Sequence, residues 1–138
     1  MRREDELTTT ICAAMPLAAL VGFEAVEGTP AAVVVRGAWA PERCTAAGVL
    51  HGGYLMTLAD VAAATLAYLN LPPRSTTATI EAKTNFLAAV RDGVVTARAE
   101  PVHVGRRTIV VQVDVHDDRR RLATRTIQTQ AVIEETGG

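Results

Sequence analysis

The stretch GVLHGGYLMTLADVAAATLAYLN, residues 48–70, decides how this chain is read. After a His-Gly-Gly entry it runs through Ala, Leu and Val with a single carboxylate, Asp60, near its middle. Pro72 and Pro73 follow, so the pattern predicts one long helix ending near Asn70. Mostly apolar all round, such a helix belongs in a core. At about 100° per residue, Gly53, Thr57, Asp60 and Ala64 fall within roughly 60° of one another and make one small, polar stripe. An unpaired carboxylate inside a core is costly. Asp60 is therefore either a structural acid bonded to a neighbouring loop, or a general base or nucleophile.

The entry to the helix narrows that choice. His51 can bond a nearby carbonyl or serve a reaction, and Gly52 and Gly53 sit where the first helical N–H groups lack acceptors inside the helix. Without side chains they let a substrate carbonyl approach, which is an oxyanion-binding geometry as well as a tight turn. Gly52 and Asp60 are eight residues apart, roughly 12 Å along one helix. They cannot polarise and attack the same carbonyl from one chain. If both serve one reaction, two antiparallel copies of the helix must meet, Gly52 of one subunit facing Asp60 of the other.

Working outward, Leu7, Ile11 and Met15 recur every four residues in a flanking helix over residues 1–20, which Pro16 bends or ends. GFEAVEG and AAVVVRGAW read as a hairpin across a Gly-Thr-Pro turn. Beyond the helix, TTATIEAKTNFLAAV, GVVTARAEPVHV, TIVVQVDVHD and LATRTIQTQAVIE read as strands, the third alternating most cleanly, so the second half is expected to be an antiparallel meander. One long helix against five or six antiparallel strands is an α+β architecture, and 138 residues make one domain.

With 49% hydrophobic and 21% charged residues the composition is that of a folded chain, and a net charge of -1 gives no global reason to expect nucleic acid or an anionic membrane. Cys12 and Cys44 have neither CxxC spacing nor His partners, so no metal site or disulfide framework is expected. The N-terminus lacks a secretory pattern and the longest apolar run is interrupted by Thr57, Asp60 and Thr65. A cytoplasmic location without membrane insertion is the expectation.

GVLHGGYLMTLADVAAATLA, with TIEAKTNFLAAV and VGRRTIVVQVDV, resembles the PaaI-type hotdog-fold acyl-CoA thioesterases, over about residues 16 to 132. The resemblance implies a long central helix wrapped by an antiparallel sheet, a homodimer as catalytic unit, and dimers paired into tetramers. It places the catalytic acid on Asp60 and the N–H that polarises the thioester carbonyl on Gly52 of the neighbouring subunit. His51 would organise the carbonyl or leaving-group side, and Gly53 and Thr57 would line the substrate on the same stripe. A hydroxyl that holds the water falls on Thr79, or on Thr77 if the loop is aligned differently. Thr45 stands where some relatives carry an Asn, and FLAAV replaces a proline-containing rim. Gly105, Arg106 and Arg107, with Arg74, would meet the phosphates of CoA, since Arg binds phosphate in a bidentate way. No cofactor is implied, CoA being part of the substrate. A hotdog hydratase or dehydratase and a non-catalytic acyl-CoA-binding module remain as alternatives, and aromatic and medium aliphatic acyl groups are both open.

Overall fold

The decisive stretch forms α3, Gly52–Leu69, in a computed structural model that describes residues 3–136. Asn70 closes it: its side-chain amide donates to the carbonyls of Leu66 and Pro30, both at 2.9 Å, and the two prolines then turn the chain away. Leu58, Ala62 and Leu66 are wholly buried. The helix is not buried all round, however. Gly53, Met56, Asp60 and Tyr68 are exposed, so the small polar stripe expected inside a core is an open face of the chain.

Six strands wrap the opposite face of α3: β1 (Glu24–Gly28), β2 (Val33–Ala38), β3 (Ser75–Phe86), β4 (Val94–Val104), β5 (Thr108–His116) and β6 (Leu122–Glu134). Their spatial order is β1-β2-β4-β5-β6-β3, with every neighbouring pair antiparallel. On β5 the expected alternation is complete: Ile109, Val111, Val113 and Val115 are buried while Gln112, Asp114 and His116 face outward. Val33, Val35, Val95, Ala97 and Ala99 extend that inner surface, and the small side chains on β4 give α3 room to lie close. This is the hotdog arrangement, with six strands where five or six were expected.

One expectation about the strands needs correction, and one about Pro16 is resolved between its two alternatives. The second half is a meander only over β4, β5 and β6, because β3 pairs with β6 at the far edge and β2 takes the place beside β4. The connection after β3 carries the chain across the sheet, held as it goes by Leu87 N–H to the Ala123 carbonyl at 2.8 Å and by Leu50 N–H to the Val90 carbonyl at 2.8 Å. The N-terminal flank is two helices, α1 (Arg3–Ala14) and α2 (Pro16–Leu20), since Pro16 begins a new element. α1 is tied to the sheet through Thr8, whose hydroxyl accepts the Ala25 N–H at 2.9 Å.

One irregularity positions the site. β3 and β6 shift register between Thr79 and Glu81, so Ile80 is an extra residue in the ladder. Ala82, Thr84 and Phe86 pair with Gln128, Thr126 and Thr124; beyond the shift the residues opposite Gln130 and Val132 are Thr79 and Thr77. The bulge thus turns two threonines toward α3 and leaves Ile80 59% exposed at the sheet edge.

Candidate active site

The start of α3 is fixed by the loop before it. Thr45 N–H bonds the Val49 carbonyl at 2.8 Å, and His51 N–H bonds the Arg43 carbonyl at 2.9 Å. Tyr54, in the first turn, is clamped edge-on by Phe23 at 5.2 Å between ring centroids, with the Arg43 guanidinium 5.6 Å from its ring; burial pushes its phenol above the usual range. The His51 ring caps the helix, Nδ1 accepting the Gly53 N–H at 2.8 Å. With Nδ1 used as an acceptor, the neutral ring carries its proton on Nε2 and can offer it outward. The cap consumes the Gly53 N–H and leaves the Gly52 N–H with no acceptor among the described residues.

That free N–H lies beside an open cavity of about 430 Å³, lined among others by Thr45, Leu55, Phe86 and Leu87. The Phe86 ring covers Gly52 so closely that a Cβ there would stand 3.0 Å from it. The helix dipole adds partial positive charge at this end, so the site suits an oxygen that gains negative charge. Thr57 uses its hydroxyl within the helix, donating to the Gly53 carbonyl at 2.8 Å.

Two turns further along, Asp60 lies on the same open stripe with one carboxylate oxygen held. Its Oδ1 accepts the Gln128 side-chain amide at 2.6 Å, and the Thr79 hydroxyl approaches it at 3.5 Å. Among the described residues nothing bonds Oδ2. Thr77, the other threonine weighed from the sequence, stands next along β3 and bonds Gln130 and the Ala131 carbonyl instead. A second cavity of about 360 Å³ opens there, between α1 and the far half of α3, with walls of Leu7, Ile11, Ala64, Tyr68 and Thr77. Its lining is nearly all apolar.

Gly105, Arg106 and Arg107 form the exposed β4–β5 turn, and Arg74 ends the loop after α3 with φ of 55°. β6 brings them to one end of the sheet: the Arg107 carbonyl accepts the Val132 N–H and the Arg74 carbonyl accepts the Glu135 N–H, each at 2.9 Å. Sequence reading passed over Gln128 and Gln130, which are 0% and 1% exposed. The signal was present, since two amides at alternate positions of one strand share a face, but strand alternation alone does not say that this face is the buried one.

A family model described as "Thioesterase superfamily" matches residues 47–124, which holds α3 and most of the sheet. The chain belongs to the thioesterase superfamily. This thioesterase is 37% identical over 128 residues to a Bacillus subtilis protein named "Putative esterase ComA2", covering 83% of this chain and 92% of that one. It is 36% identical over 75 residues to a 1,4-dihydroxy-2-naphthoyl-CoA hydrolase of Listeria monocytogenes, a match spanning 54% of this chain and 61% of the hydrolase. A solved thioesterase of Haemophilus influenzae superposes with a TM-score of 0.88 at 26% identity, covering 97% of this chain and 92% of that chain. A hypothetical thioesterase of Streptococcus pneumoniae, solved with coenzyme A, superposes with a TM-score of 0.75 at 29% identity over 83% of this chain and 88% of that chain. The protein is a thioester hydrolase built on the hotdog fold.

Proposed function

We propose that the protein hydrolyses an acyl-CoA, in the manner of the PaaI-type enzymes, at two sites shared across a homodimer. The observation that carries this reading is the pairing of an unused N–H at Gly52, at the helix start, with a held carboxylate at Asp60 on the open stripe, too far apart to meet on one helix. β3 is an edge strand of twelve residues, long enough to pair with its copy and continue the sheet. An antiparallel partner then brings its own Gly52 to Asp60. Pairing of two such dimers into a tetramer would follow the family.

In this arrangement the thioester oxygen accepts the Gly52 N–H of the partner subunit. Asp60 Oδ2 takes a proton from water as the water oxygen adds to the carbonyl carbon, and the charge that develops on the thioester oxygen is met by that N–H and the helix dipole. Collapse breaks the C–S bond, and the proton held by Asp60 passes to the departing thiolate. The products are the free acid and CoA thiol. His51 Nε2 and Thr45 stand on the Gly52 side, where they would orient the carbonyl; Gly53 and Thr57 line the stripe between. Arg74, Arg106 and Arg107, gathered at one end of the sheet, would receive the CoA phosphates.

The apolar cavity under α1 would take the acyl group, because it begins at Ala64, one turn beyond Asp60, and offers almost no hydrogen-bonding surface. A panel of short, medium, long and aromatic acyl-CoAs, followed by release of free thiol, tests the activity; no thiol from any ester would refute it. Ala64→Phe tests the pocket. It should lower kcat/KM for the best medium or aromatic ester by about tenfold or more while acetyl-CoA changes little. An unaltered preference would place the acyl group elsewhere.

A further inference from the structure

We infer that Gln128 and Gln130 form a one-way hydrogen-bond relay that positions Asp60 and leaves Oδ2 as its reacting oxygen, an inference that rests on the reading of Asp60 as the catalytic acid. The Gln128 amide nitrogen donates to Asp60 Oδ1 at 2.6 Å. The Gln130 amide nitrogen spends its two protons on the Gln128 carbonyl oxygen and on Thr79 Oγ1, the latter at 2.7 Å. Thr79, having accepted, has its own proton free to turn toward Asp60 Oδ1. The single Thr77 proton is shared between the Ala131 carbonyl at 2.8 Å and the Gln130 side-chain oxygen at 3.0 Å, so Thr77 borders the relay.

Every bond in this set points toward the carboxylate. Reversing the Gln128 amide would set its oxygen against Asp60 Oδ1 at 2.6 Å, two acceptors without a proton between them, so an ionised Asp60 fixes the orientation of both amides. Two glutamines with almost no exposure are expensive beside an inner surface that is Val, Ile and Ala on β2, β4 and β5, and apolar side chains would pack there without that cost. The bulge at Ile80 is what lets Thr79 and Thr77 join them. The relay ends on Oδ1 alone. Asp60 is consequently held against rotation about its Cβ–Cγ bond, with one oxygen tied to the fold and the other on the open stripe.

Gln128→Met keeps the shape and removes the donor. Measured on the ester the wild type turns over best, it should lower kcat by about 10- to 100-fold with KM within about twofold. Gln128→Glu is the diagnostic partner, because the introduced carboxyl donates only when protonated: its kcat relative to Gln128→Met should rise as pH falls from about 8 to 5. A purely packing role would lower stability and leave that ratio flat. A kcat for Gln128→Met within twofold of wild type, or a flat ratio, overturns the inference. A second measurement needs no turnover. In wild type the side-chain amide protons of Gln128, resolved by 15N NMR, should exchange slowly with solvent and speed up at least tenfold in Asp60→Ala, an exposed substitution that leaves the core intact. Exchange unaffected by Asp60→Ala would refute the relay, whereas absence of thiol release from the whole ester panel would refute the assigned reaction.

Discussion

Asp60→Asn should lower kcat for acyl-CoA hydrolysis by about three orders of magnitude or more and leave the fold as it is. The substitution keeps size and shape but removes the only carboxylate on the stripe, so no group there can take the proton of the attacking water. General-base assistance contributes about 10²- to 10⁴-fold in many enzymes, and loss of a direct nucleophile costs at least as much. Stability should hardly change, because Asn matches Asp in size and its oxygen can still accept from Gln128. Thermal unfolding and thiol release on the same preparation check both halves of the statement. Retention of wild-type kcat would remove Asp60 from the reaction.

The second large effect is expected at Gly52, where the group to be removed belongs to the backbone. Gly52 is the first residue of α3 and its φ is not positive, which is the position a helix tolerates proline best. His51 already has φ of -62° and ψ of 135°, the extended conformation that a residue before proline prefers. Gly52→Pro therefore deletes the N–H with little strain in the helix, and should lower kcat by about 10²- to 10³-fold. Gly52→Ala is its control. It keeps the N–H and adds the same Cβ, 3.0 Å from the Phe86 ring, which is 54% exposed and free to give way; its kcat should stay well above that of the proline variant. Equal loss in both would trace the effect to the side chain and not to the N–H.

The sequence was most informative where periodicity and punctuation coincide. α3 is legible because an apolar run, a Gly-Gly entry and two following prolines agree, and β5 because Ile109, Val111, Val113 and Val115 recur at every second position. The strand order was not, since β3 and β4 are consecutive in sequence yet lie at different places in the sheet, a matter of long-range pairing that local pattern does not carry. For the site, His51, Gly52 and Asp60 stand out because a helix entry and an acid are unusual among Ala and Leu. Thr79 was reached only through family likeness, with Thr77 beside it, because a one-residue bulge decides which threonines face the helix. Gln128 and Gln130 were silent for a related reason: on an isolated strand, amides alternating with Thr and Ile look like a solvated face. Only the place of β6 between β5 and β3 buries them.

The stripe on α3 also gives the fold its functional logic. A helix sealed on every side would have no place for substrate, whereas this one is packed on its apolar face and open along Gly53, Met56, Asp60 and Tyr68. The sheet edge at β3 and the open stripe lie on neighbouring elements joined by a short loop, so one association can cover both. Burial of the carboxylate is then a property of the dimer, and the catalytic group is assembled only when the subunits meet.

That claim is tested most directly with heterodimers purified through two different affinity tags. Pairing an Asp60→Asn subunit with a Gly52→Pro subunit leaves one site with both native groups, and should restore about half of the wild-type turnover per dimer, although each variant alone is nearly inactive. Pairing a wild-type subunit with one carrying both substitutions spoils both shared sites and should give almost none. If Gly52 and Asp60 instead served a site within one chain, the two results would change places: the first heterodimer would stay inactive and the second would keep half of the activity.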